Sequence, residues 1–167
     1  ILFGHSTGGL TSLYMALHGI NTPIIGVALS APNVLDTVDA PVKKFFGHIL
    51  SRVYPTISFA TGLITKHLSR DPEIVAEYER NPFVYGTVTA RFYTEMLKAQ
   101  EKVVKAAPNG TLPIILQIGE EDKIVDPKSS QQVISTWQGD TKIISYPKLY
   151  HEIFNEPEKN DVLNDLM

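Results

Sequence analysis

A serine held between glycines, an aspartate in an acidic loop and a histidine near the end of the chain are the residues whose types and order could do covalent chemistry. Ser6 stands in Gly4-His5-Ser6-Thr7-Gly8-Gly9, directly after the apolar Ile1-Leu2-Phe3. Behind it Leu10, Leu13, Tyr14 and Leu17 have the i, i+3, i+4, i+7 spacing of one buried helix face, and Gly19 is a C-terminal stop. Strand, sharp turn and helix are the context that makes Gly-x-Ser-x-Gly a nucleophile elbow rather than a Gly/Ser-rich turn with no chemistry. On so tight a turn the serine backbone is expected to be strained. Side chains at Gly4 and Gly8 are expected to collide with the neighbouring strand and helix. The same turn places Ser6 at a helix N-terminus, where the Thr7 backbone N–H can face a developing oxyanion.

A serine hydroxyl is a weak nucleophile without a base, and a histidine base needs an acid to fix its tautomer. In parallel α/β sheets such groups sit on loops that follow strand C-terminal ends. Asp122 lies in the loop after the apolar run 113–118, and His151 in the loop after the run 141–146, giving the order Ser…Asp…His. Asp126 is the nearest rival, but it precedes Pro127 and reads as the N-cap of the following helix. Glu120 and Glu121 read as solvated, and Asp140 sits before a strand, on the wrong edge of the sheet. Among the other histidines, His5 should point away from Ser6 and pack on a neighbouring loop. His18 suits a helix C-terminus, and His48 and His67 read as surface or packing residues. No converging His and carboxylate spacing suggests a metal, and no cofactor is expected.

The elements that must position these groups follow from the pattern. Asn21-Thr22-Pro23 reads as a turn, and Ile24–Leu29 as a buried parallel strand bounded by Ser30-Ala31-Pro32. From about Asn33 to Gly110 the alternation of strand and helix gives way to helix-like pieces. These are Val42 to Val53 closed by Pro55, a helix opened by Asp71-Pro72 and ending at Arg80, and Thr87 to Ala107. Alternation resumes with a strand from Pro113, a helix Pro127 to Trp137, a strand Thr141 to Tyr146 and a last helix Pro157 to Leu166. The expected fold is α/β. Residues 1–32 and 111–167 would form a mainly parallel sheet of about four strands flanked by helices, and 33–110 an inserted helical lid.

Composition narrows the function classes. The chain has 167 residues, 43% hydrophobic and 20% charged, with a net charge of −3. That is ordinary for one globular domain, and no basic cluster beyond the pair Lys43-Lys44 marks a nucleic-acid footprint. The absence of cysteine excludes disulfides and thiolate metal sites. No apolar run of about 18 residues offers a spanning helix, which leaves cytoplasmic or peripheral-membrane placement open. The chain opens on Ile1 in mid-strand, so it is expected to be the C-terminal part of a longer polypeptide.

Taken together, Gly4-His5-Ser6-Thr7-Gly8-Gly9, Leu68-Ser69-Arg70-Asp71-Pro72, the stretch from Asn81-Pro82 to Leu97, Gly119 to Pro127 and Tyr150-His151-Glu152 resemble the monoacylglycerol lipase/lysophospholipase branch of the α/β-hydrolases, a branch also classed with serine aminopeptidases. The likeness runs over nearly the whole chain. It implies Ser6 as nucleophile, Asp122 as acid, His151 as base and the Thr7 N–H as one oxyanion donor. The family's second oxyanion donor comes from an upstream His-Gly loop, which has no counterpart in these residues. Losing one such donor typically costs about 10²–10³ in rate, so this chain alone is expected to have little or no esterase activity.

The lid stretch holds Phe45, Phe46, Ile49, Leu50, Val53, Tyr54, Ile57, Phe59, Leu63 and Ile64. Most are expected to pack down on the sheet. A second use is to shelter an acyl chain or to rest transiently on a membrane surface. The function expected is a serine hydrolase of carboxylic esters, acting on a monoacylglycerol or lysophospholipid through an acyl-enzyme. The alternatives are another acyl-transfer hydrolase, of amides, peptides or small esters, and a non-catalytic binding protein on the same fold. No obligate protein partner is evident.

Overall fold

The computed structural model describes residues 1–19, 23–35 and 41–166, with 41–46 described by backbone alone. The expected turn at Asn21-Thr22 lies outside the described residues. Leu2–His5 forms strand β1, and after the single turn residue Ser6 the helix α1 covers Thr7–His18. Gly19 ends the helix at φ 78°, a left-handed backbone angle that glycine adopts freely.

Strand β2 spans Val27–Ser30 and is buried throughout. It begins later than the apolar run Ile24–Leu29 suggests, for a pairing reason. Val27 is opposite Leu2 on one side and Ile114 on the other, and Ile24 and Ile25 precede the ladder with the strand that begins at Ile114. Ile25 is accordingly exposed.

The segment that follows holds helix α2 over Pro41–Val53, strand β3 over Ser58–Ala60, helix α3 over Pro72–Arg80, strand β4 over Thr87–Thr89 and helix α4 over Ala90–Ala106. It is not purely helical as expected, because β3 and β4 pair antiparallel into a two-stranded sheet. Thr87, Val88 and Thr89 are β-branched and prefer extended backbone. The Thr89 hydroxyl then caps α4 by accepting from the Phe92 amide at 3.1 Å, which starts the helix at Ala90 rather than at Thr87. Helix α3 matches its reading, with Asp71 accepting from the Glu73 amide and Pro72 in the first turn.

Strand β5 covers Ile114–Gly119, helix α5 Pro127–Ser135, strand β6 Thr141–Tyr146 and helix α6 Lys159–Leu166. The main sheet has the order β1-β2-β5-β6, and every pair in it is parallel. One face carries the larger core, where Leu10 and Leu13 of α1, Val103 of α4 and Val133 and Ile134 of α5 meet Val27, Leu29, Ile114, Leu116 and Ile118. The other face carries Tyr146, Leu149, Ile153 and Val162, so α6 covers the side opposite α1. Gln117 points to that side, fully buried, and donates to the Tyr146 hydroxyl and the Val162 carbonyl. The carboxyl ends of β1, β5 and β6 thus deliver Ser6, Asp122 and His151 to one edge of the sheet.

Candidate active site

Ser6 turns the chain sharply from β1 into α1, with φ 52° and ψ −120°. A left-handed angle at a non-glycine residue is strained, and it persists because the surrounding backbone fixes it. The Ser6 amide donates to the Ser30 carbonyl at 2.9 Å, and the Ser6 carbonyl accepts from Asn33 at 3.0 Å and from Leu10 at 3.1 Å. The carboxyl end of β2, the residues just after it and the first turn of α1 therefore hold the elbow. At Gly4 an added Cβ would lie 2.4 Å from the Gly8 carbonyl oxygen and the Ser12 Oγ, so glycine is required there. The expected clash at Gly8 is not found, since a Cβ there meets nothing within 4 Å. The crowded second position is Gly9, where it would approach the Pro32 Cβ at 2.7 Å. Sequence spacing gives no direction for a Cβ on a helix that starts mid-motif, so it does not tell Gly8 from Gly9.

The structure joins Asp122 and His151 directly. His151 Nδ1 is 2.7 Å from Asp122 Oδ2, with both side chains almost wholly buried. A carboxylate only accepts, so Nδ1 carries the proton and Nε2 is left as the basic nitrogen. The other oxygen, Asp122 Oδ1, accepts from the Ile124 and Val125 amides at 2.8 and 3.0 Å. Those bonds set the carboxylate plane and satisfy its remaining lone pairs. Asp126 does what its place before Pro127 implies, capping α5 through the Lys128 amide.

The two loops that carry this pair are tied edge to edge. The Glu120 amide donates to the Tyr146 carbonyl and the Glu121 amide to the Leu149 carbonyl, each at 3.0 Å. The backbones come so close that a Cβ at Gly119 would lie 2.4 Å from the carbonyl oxygens of Leu149 and Tyr150.

His5 packs on the His151 loop, its ring centroid 4.7 Å from that of His151. Its Nδ1 lies 3.0 Å from the Ser30 Oγ. Burial, and then the neighbouring His151, pull the His5 imidazole down from its ordinary 6.5 to about 4. It is therefore neutral at physiological pH and brings no second positive charge to the site. Among the described residues the Ser6 hydroxyl takes part in no hydrogen bond, so the link from His151 Nε2 to Ser6 Oγ is not closed in this structure.

Ser6 and Thr7 open into a cleft of about 850 Å³. Its apolar lining comes from Leu63, Ile64, Val88, Phe92, Met96 and Ile124, and its polar lining includes Asn33, His67, Tyr78, Tyr85 and Lys123. Every one of these apart from Lys123 and Ile124 belongs to the segment between β2 and β5. The expected packing of that segment onto the sheet is corrected here. Ile49, Val53, Tyr54, Ile57, Phe59 and Ile64 are exposed, and Leu50 and Leu63 are half-buried. The side chains of Phe45 and Phe46 lie outside the described residues. A three-residue strand has no alternate-face core to bury in, and β3 is exposed at every position. Sequence reading also passed over Asn33 and Gln100. Gln100 of α4 is buried and donates to both the Asn33 carbonyl and its Oδ1, bracing the residue that holds the Ser6 carbonyl.

The family profile described as Serine aminopeptidase, S33 matches residues 1–158. A monoacylglycerol lipase of Mycolicibacterium smegmatis is 30% identical over 169 residues, an alignment covering 99% of this chain and 60% of that protein. The crystal structure of Paleococcus ferrophilus monoacylglycerol lipase superposes with a TM-score of 0.91 at 29% identity, covering 98% of this chain and 65% of that one. A soluble variant of monoglyceride lipase from Saccharomyces cerevisiae, in complex with a substrate analog, gives a TM-score of 0.85 at 26% identity over 98% of this chain and 59% of that one. The chain thus spans 59–65% of the length of these three proteins.

Proposed function

This chain belongs to the serine aminopeptidase S33 family of α/β-hydrolases, and from that premise we propose that the protein carrying it is a serine hydrolase of carboxylic esters. The substrate proposed is a monoacylglycerol or a lysophospholipid. Ser6 is the nucleophile, His151 the base, Asp122 the acid that orients it, and the Thr7 N–H one oxyanion donor. The observation that carries the reading is the buried His151–Asp122 bond, whose histidine packs against the ring of the residue next to Ser6.

The sequence of steps follows from these groups. His151 Nε2 takes the Ser6 hydroxyl proton as Oγ adds to the ester carbonyl. Asp122 stabilises the imidazolium that forms. The Thr7 amide is at the first position of α1, where backbone N–H groups have no acceptor within the helix, and it faces the oxyanion. His151 then protonates the departing alcohol, and water reverses the steps to release the acid.

The cleft supports an ester with a long acyl chain over a peptide. An aminopeptidase must hold a cationic α-amino group, yet no carboxylate lines the cleft among the described residues, and Lys123 does. The apolar lining from residues 63–96 suits hydrocarbon, and the segment 33–110 acts as the lid over it. Its exposed apolar residues are the surface proposed to rest transiently on a membrane. Among the described residues no helix is long and apolar enough to cross one.

Each methylene moved from water into such a cleft gains about 0.8 kcal/mol. The intact protein is therefore expected to hydrolyse lauroyl monoglyceride with a higher kcat/KM than butyryl monoglyceride, and Ser6→Ala to hydrolyse neither. A preference for the butyryl ester rejects the acyl-binding cleft. Undiminished hydrolysis by Ser6→Ala rejects the nucleophile.

A further inference from the structure

Among the described residues Glu156 is the most thoroughly buried carboxylate outside the Asp122–His151 pair, and the mechanism above does not use it. A short 3₁₀ turn over Ile153–Asn155 folds the chain back so that Glu156 sits beneath the loop it has just left. There its Oε1 accepts from the Tyr150 amide at 2.8 Å. Both carboxylate oxygens lie 3.3 Å from the Arg70 amide, and Oε2 also accepts from Arg70 Nε at 3.0 Å. Arg70 reaches outward at its far end to Glu158.

The neighbours of Arg70 repeat the pattern. The Leu68 carbonyl accepts from the Glu152 amide at 2.8 Å, and the Ser69 hydroxyl donates to the Asn155 carbonyl at 3.0 Å. Three consecutive residues, 68 to 70, thus grip the loop at 152, 155 and 156, and Glu156 in turn holds Tyr150. Tyr150 and Glu152 are the residues immediately before and after His151. On its other side the same loop is held by the Asp122 loop, through the Glu121–Leu149 backbone bond and the Asp122–His151 bond.

We propose that the Arg70–Glu156 clasp is a positioning device for His151. Glu156, braced by Arg70 of the inserted segment, fixes the backbone before the histidine through the Tyr150 amide, while the neighbouring Leu68 carbonyl holds Glu152 after it, so that Nδ1 stays on Asp122 and Nε2 is left free to serve Ser6. The inference rests on the triad reading above and adds to it two residues that touch neither substrate nor reacting atoms. A buried carboxylate is suited to this work because it accepts several amides at once, and the guanidinium compensates its charge. A shift of about 1 Å in a catalytic base can cost on the order of 10²-fold in rate.

The test uses the intact protein and compares wild type, Glu156→Ala, Glu156→Gln and Arg70→Gln. Three measurements are made: the rate of labelling by a fluorophosphonate, kcat and KM for a short ester, and the low-field proton resonance of the His–Asp bond. Glu156→Ala is expected to stay folded by circular dichroism, to lose about 10–100-fold in kcat and labelling rate with KM unchanged, and to lose or broaden the resonance. Glu156→Gln keeps oxygen for the Tyr150 amide and is expected to recover part of the rate and the resonance. If Glu156→Ala does not fold, Arg70→Gln carries the test, since the Arg70 side chain is a quarter exposed and Glu156 keeps its bond to Tyr150. The same fall in kcat at constant KM is then expected. A folded variant that labels at the wild-type rate and keeps the resonance overturns the clasp. Wild-type protein that fails to label at all instead overturns the hydrolase reading on which the clasp depends.

Discussion

Asp122 gives one carboxylate oxygen to two backbone amides and the other to His151, while Asp126, four residues on, gives its own to a helix start. The difference was legible because Pro127 marks a helix entrance and leaves Asp126 with capping to do. Other single residues were less legible. Glu156 stands in an ordinary acidic run, and only the backward fold of the 3₁₀ turn buries it. His5 is a residue-scale case with a measurable consequence. Its imidazole titrates at about 4 in the fold because it is buried and beside His151, against 6.5 when unfolded. Above pH 6.5 neither state is protonated and the fold is not penalised. As pH falls from 6.5 toward 4 the unfolded chain takes up a proton that the folded chain refuses, so stability drops. Urea titrations at pH 7.5 and pH 4.5 are expected to show His5→Gln losing less stability than wild type, by on the order of 2 kcal/mol. Equal losses would mean that the ring is freely protonated in the fold.

The elements with strong local chemistry follow the sequence closely. Asp71-Pro72 and Asp126-Pro127 start α3 and α5, and apolar runs before loops become β5 and β6. The two-stranded sheet β3–β4 was hidden, since three residues are too few to display a period of two. Its Thr87-Val88-Thr89 merged with the helical pattern that follows. The capping bond at Thr89 is what separates the two elements, so it can be tested alone. Thr89→Ala is expected to lower stability by about 1 kcal/mol, read from the urea midpoint. No change would indicate that packing of α4 on α1 and α2 sets the helix start. Thr89→Ser, which keeps the hydroxyl, is expected to restore most of the loss.

At the scale of the molecule, a parallel sheet aligns three strand ends, and the segment between β2 and β5 supplies most of the cleft wall above them. The sheet and the order Ser…Asp…His were readable because β1, β5 and β6 each feed a loop or turn that presents one of the three groups. The wall was not readable, because a count of apolar residues does not say which of them face solvent, a cleft or the core. The account comes down to whether Ser6 is activated by His151 and Asp122, and labelling measures that directly. The intact protein should be treated with a fluorophosphonate, digested and its modified peptide identified by mass spectrometry. The adduct is expected on Ser6 alone, with labelling about 10⁴-fold slower in Asp122→Asn, where the histidine tautomer is no longer fixed. An adduct on another residue, or an Asp122→Asn protein that labels as fast as wild type, would contradict the account.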